Sequence, residues 1–169
     1  VILAPSGTDV ELYALYFAME ENSDKEITNI LVSTTEIGSG TVHAAGGRHF
    51  NDYTPLSGEV TPGDPIEGFN TEKINVRRLE LRDELGELHP REKLDDITRK
   101  FVEEELAQDR KVLLHLLDSS KTGIGGPSIE IVSELKNTYP DSIEVIVDAA
   151  QMRVGRASQD WKSTRLKSS

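Results

Sequence analysis

Cysteine is absent from all 169 residues. That removes disulfides, thiolate metal sites and cysteine nucleophiles from this chain's chemistry, and it leaves the compartment open. Basic side chains are also scarce, with 19 Lys and Arg against 30 Asp and Glu, a formal net charge of −11. Binding a phosphate backbone needs a basic surface, so nucleic acid is not an expected partner. An anionic membrane surface is disfavoured on the same Coulombic ground. No apolar run approaches the roughly 20 residues of a membrane-spanning helix. No basic region precedes the first apolar residues, so no signal peptide is read, and a cytoplasmic or organellar-matrix location is expected. Internal repeats and low-complexity tracts are missing too. No G-x-G-x-x-G follows the first apolar stretch, which argues against a dinucleotide-binding domain.

What is present is ordinary for a soluble globular protein: 36% hydrophobic and 29% charged residues, enough for one sizeable core. The start "VILAPSG" and the end "WKSTRLKSS" both read as abrupt. The expectation is a portion of a larger domain over 1–156, followed by an irregular polar tail over 157–169.

Apolar patterning predicts a short strand over 1–4 and a helix over 9–21, with Thr8 and Glu11 at capping-box spacing. That helix is apolar on nearly every side, which implies burial against a sheet and a partner. Buried strands are expected over 28–33, 111–117 and 144–147, with a weaker strand over 75–81. A helix over 91–108 has Leu94, Ile97, Phe101, Val102 and Leu106 on one face. Gly126 and Pro127 open a further helix, with Pro127 at its first position and Ile129, Val132 and Leu135 facing inward. Its stop is Pro140. The alternation of continuous apolar strands with helices means an α/β fold, with a mostly parallel sheet covered on both faces. Ligands of such sheets sit beyond the carboxyl ends of the strands. The Gly- and Pro-rich stretch 38–70, with a short helix around 42–45, is too long for a plain connector and reads as an active-site or subunit-contact loop.

The polar segments after the expected strands are "PSGTD", "TTEIGSGT", "DSSKTG" and "DAAQ", and three of these places allow two readings. "PSGTD" can offer the amides of Gly7 and Thr8 and the hydroxyls of Ser6 and Thr8 to an anion, or simply cap a helix. "SSKTGIGG" has the order wrong for a P-loop, since its glycines follow the Lys-Thr pair, but its hydroxyls could line a ligand. "VDAAQ" ends a buried strand on Asp148, which can hold a positive charge in a low-dielectric site or cap a turn. His43, His49, His89 and His115 show no metal-ligand spacing, so no metal site is expected. His115, inside a strand, reads as a hydrogen-bonded core residue, whereas His43 and His49 in the Gly-rich loop are the better functional candidates. The acidic run 103–105 reads as a solvated helix face.

Taken in order, "PSGT", "TTE", "DSSKTG" and "VIVDAAQ" resemble the large domain of fold-type I pyridoxal-phosphate-dependent enzymes over 1–156. The nearest likeness is to the aminotransferase class V and cysteine-desulfurase group, in a sparsely characterised branch. The resemblance implies that Ser6, Gly7 and Thr8 bind the cofactor phosphate and that Asp148 pairs with the protonated pyridine nitrogen. It places Gln151 at the ring hydroxyl, with Ser119 or Ser120 nearby. Ile37 stands where relatives stack a histidine or an aromatic on the ring. It further implies an amino-acid or amine substrate, transferase or lyase chemistry, and a homodimer. One element of the pattern is missing, the lysine that holds the cofactor as a Schiff base. Only Lys162 and Lys167 follow Asp148, and neither has the expected setting, so no catalytic residue is assigned. Arg48 or Arg153 could hold a substrate carboxylate. The alternative is a non-catalytic α/β binding module, a degenerate or truncated relative.

Overall fold

The structure, a computed structural model, describes residues 3–20, 24–54 and 58–149. Four strands form one all-parallel sheet in the order β2-β1-β3-β4: β1 Ile27–Val32, β2 Ile74–Leu79, β3 Lys111–Leu117 and β4 Ile143–Asp148. The two strands with the cleanest apolar runs, β1 and β3, take the central positions, where both faces and both edges are covered. β2 lies at one edge and is only partly buried, which is why its sequence alternates imperfectly with polar residues.

Successive side chains of each strand feed opposite faces. Ile30, Val32, Val112 and Leu114 pack under α3 (Arg91–Leu106) and α4 (Ile129–Thr138), through Leu94, Val102, Ile131, Val132 and Leu135. On the other face Ile27, Ile74 and Leu113 meet Leu15 and Ala18 of α1 (Gly7–Glu20). The short α2 (Thr41–Ala45) packs beside α1. The expected α/β class, with helices on both faces of a parallel sheet, is therefore observed.

Several local expectations are corrected. α1 begins at Gly7, and Ser6 caps it: its Oγ accepts the Asp9 N–H at 3.2 Å and donates to the Asp9 carboxylate at 2.5 Å. Thr8 and Glu11 form no capping box, because Glu11 points inward in the same stripe as Leu15 and Ala18. The opposite face of α1, with Val10, Tyr13, Tyr16 and Phe17, is exposed. Leu3 and Ala4 form no strand, and Leu3 is 89% exposed; Val1 and Ile2 lie outside the described residues. Pro127 follows a cis peptide bond from Gly126 and precedes α4 instead of opening it. Ser128 is the cap, accepting the Ile131 N–H at 3.2 Å, and Ile131 takes the inward position while Ile129 is exposed. The acidic run is not uniformly solvated. Glu105 is 4% exposed and accepts from Thr28 at 2.6 Å, Arg77 at 2.9 Å and Arg110 at 3.0 Å. No helix among the described residues is long and apolar enough to cross a membrane.

Candidate functional site

A cavity of about 380 Å³ opens at the carboxyl ends of β1, β3 and β4, against the first turn of α1. Its place follows from the topology. The chain leaves β1 toward α2 on one face and leaves β3 toward α4 on the other, so the two connections part and leave a crevice between them.

Each wall has a local cause. Ser33, just after β1, adopts a left-handed φ of 56°, and its carbonyl accepts the Glu36 N–H at 2.8 Å. This tight turn brings Glu36 and Ile37 back over the sheet. After β3, the stretch 119–126 folds as a hairpin that returns to its own strand: Gly126 N–H donates to Leu117 O at 3.0 Å, and Leu117 N–H to Gly126 O at 3.1 Å. A Cβ on Gly125 would lie 2.6 Å from the carbonyl oxygen of Asp118. Gly125 thus serves a close backbone approach within the hairpin.

Two polar arrangements flank the cavity. Glu36 Oε2 accepts from Ser120 Oγ at 2.6 Å and from Thr122 Oγ1, while Arg82 Nε donates to Oε1 at 2.9 Å. The hydroxyls of Ser120 and Thr122 outweigh the cost of burial and, with Arg82, hold the Glu36 carboxyl down at about 2. Beneath the cavity, Glu11 is 6% exposed, and its Oε2 lies 3.4 Å from Nε2 of His115, itself 2% exposed. Burial, reinforced by the Asp148 carboxylate and partly offset by the Asn29 amide, pushes Glu11 up to about 8. Burial alone pushes His115 down to about 4. The two are therefore a neutral acid beside a neutral imidazole near pH 7, not an ion pair. His115 is a core residue as expected, but its Nε2 has no hydrogen-bond partner among the described residues.

Of the residues singled out in the sequence, Gly7, Thr8, Ile37, Ser119, Ser120 and Asp148 meet in this one cavity. Ser6 does not line it; it borders a second, aromatic-lined cavity of about 960 Å³ on the outer side of α1, and so does His49. His43 is exposed on α2. Arg48 is tied into its own loop, donating to Gly63 O at 2.9 Å. Gln151, Arg153, Lys162 and Lys167 lie outside the described residues. Among the lining residues that carried no site role in the sequence reading are Glu11, Glu36, Gly38, Thr41 and Lys121. For Glu11 a signal existed, since 11, 15 and 18 share a helical stripe. Gly38 and Thr41 fall at the start of the Gly- and Pro-rich stretch read as an active-site or subunit-contact loop, but their convergence with Thr8 is not legible there, because Thr8 is remote in sequence.

The donor set fits a phosphorylated ring with a protonated nitrogen. A Cβ on Gly38 would stand 2.9 Å from Thr41 Oγ1 and 3.1 Å from Thr8 Oγ1, so the missing side chain lets two hydroxyls converge at the positive end of α1. Across the cavity, Asp148 supplies a carboxylate at the end of β4, and Ile37 and Ile146 supply apolar walls. No family model, curated protein or solved structure matches this chain.

Proposed function

We propose that this cavity binds pyridoxal phosphate and that the chain is part of an enzyme, a transferase or lyase, acting on an amino acid or amine. The observation that carries the reading is the convergence of the α1 N-terminus, Ile37, Ser119, Ser120 and Asp148, from four separate parts of the chain, on one cavity. Thr8 and Thr41, with the amides at the start of α1, would hold the phosphate. Asp148 would keep a ring nitrogen protonated, since an opposite charge favours the charged form. Ile37 would pack against the ring and limit water there. Ser119, whose hydroxyl makes only a long 3.5 Å contact with Ser120 O, is the hydroxyl available to a ring substituent, whereas that of Ser120 is committed to Glu36. Bound here, the group would serve as an electron sink for bonds at the α-carbon of an amine substrate.

One observation favours the second reading, a binding module without chemistry. Lys121 is the lysine among the described lining residues, and its Nζ donates to the carbonyl of Ile37 at 2.7 Å. Incubation of the full chain with pyridoxal phosphate, followed by borohydride and peptide mass spectrometry, separates the two. Saturable binding with a reduced lysine adduct supports the enzyme; saturable binding without one supports the module. Absence of saturable binding rules out the cofactor, and with it the enzyme reading. Asp148→Ala is expected to weaken binding at least about tenfold, the scale of one charge-assisted contact. Wild-type affinity in that variant would refute the role given to Asp148.

A further inference from the structure

Beneath the cavity two buried polar atoms without hydrogen-bond partners among the described residues face each other: Oε2 of Glu11 and Nε2 of His115, 3.4 Å apart. An ionised carboxylate only accepts, and a ring nitrogen without a proton only accepts, so that pairing leaves both unsatisfied. One proton on Oε2 satisfies both at once, because a neutral carboxylic acid donates and a neutral imidazole nitrogen accepts. The surroundings favour the same state. From β3 the facing group is His115, from β1 the uncharged Asn29, and from β4 the like-charged Asp148. Across the cavity Glu36 is paired with Arg82, and Lys121 is held by the Ile37 carbonyl. No cation among these groups stabilises a Glu11 carboxylate.

We propose that Glu11 is a positioning residue of the cavity: a neutral carboxylic acid that donates to Nε2 of His115 and leaves Asp148 as the carboxylate on that wall to face a cationic ring nitrogen. The inference rests on the cofactor reading for the cation, but the state of Glu11 stands on the ligand-free protein. Besides losing water, a charge on Glu11 would face the Asp148 carboxylate, and a like charge disfavours ionisation. Glu11 also lies against a histidine acceptor. Burial accordingly places Glu11 near 8 and His115 near 4.

The test is a carboxyl-carbon NMR titration of the full chain without ligand, with the Glu11 resonance assigned by its loss in Glu11→Gln. It is expected to titrate well above neutrality and to move down when Asp148→Asn removes the neighbouring charge. A Glu11 titration near the ordinary 4.5 overturns the proposal, and so does a titration that Asp148→Asn leaves in place. Should that variant not fold, the wild-type His115 nitrogen spectrum at pH 6 decides: Nε2 is expected as an unprotonated acceptor, and a proton on it overturns the proposal. The positioning role has its own readout. As Glu11 ionises, a second negative charge reaches the ring-nitrogen wall, so the ratio of wild-type to Glu11→Gln affinity for pyridoxal phosphate should rise at least about threefold from pH 7 to 9. A ratio that stays constant removes that role. If pyridoxal phosphate binds neither protein, the cofactor reading fails, and the ligand-free titration still decides the state of Glu11.

Discussion

Glu36 is 9% exposed and gathers donors from Ser120, Thr122 and Arg82. Removing it strands two hydroxyls and a guanidinium, so Glu36→Ala should cost about 3 kcal/mol at pH 7 in urea unfolding. The pH dependence has a definite sign. Its folded value of about 2 lies below the ordinary 4.5, so its stabilisation is present above 4.5 and is lost as pH falls toward 2. The difference between wild type and Glu36→Ala should therefore shrink at pH 3; a difference that persists unchanged there contradicts the assignment. Ser120 illustrates what the sequence concealed. A serine after a buried strand reads as a ligand group, but its partner Glu36 is 84 positions away, beyond any local pattern.

At the scale of elements, the start of α1 contains two overlapping capping signatures, Ser6 with Asp9 and Thr8 with Glu11. Local chemistry does not rank them. Burial does, because Glu11 shares the stripe of Leu15 and Ala18 and is drawn against the central strands of the sheet, leaving Ser6 to cap. On the proposed cofactor reading the two hydroxyls take different jobs. Ser6→Ala should lower stability by about 1 kcal/mol. Thr8→Ala should weaken pyridoxal phosphate binding roughly tenfold, the loss of one hydrogen bond to a charged group, with little change in thermal midpoint. Thermal unfolding and fluorescence titration of the two variants check this, and reversed effects would show that the cap and the phosphate ligand had been exchanged. α4 repeats the lesson: Ser128 caps it, which shifts the inward residue from Ile129 to Ile131.

For the whole molecule, Glu105 ties α3 to the sheet. It accepts from Thr28 on β1 and from Arg77 on β2, and it also meets Arg110, which reaches Glu26 at 2.8 Å. Arg77 in turn stacks 3.7 Å over the Phe101 ring. Burial raises the Glu105 carboxyl, but the Thr28 hydroxyl and the two guanidiniums more than compensate and keep it below the ordinary value. Glu105→Ala should destabilise by about 3 kcal/mol, since it leaves partly buried cations without their carboxylate. Urea unfolding at neutral pH measures this, and a change under 1 kcal/mol would mark the network as solvent-screened.

Apart from the strand expected over 1–4, the sequence by itself determined the order and kind of the main elements and the parallel sheet they imply, because hydrophobic periodicity is a property of neighbouring residues. β3 carries the bounds expected for it, and β1 and β4 differ from expectation only at their ends. It also marked Asp148, which closes β4 on the cavity. Only the tertiary structure decided which acids are buried and in what company. In the sequence Glu11, Glu36 and Glu105 are three of many carboxylates. In the fold one faces an imidazole, one accepts hydroxyls and a guanidinium, and one bridges two strands. Burial and charge pairing are sums over residues that the chain brings together from far apart, and no window of sequence contains them.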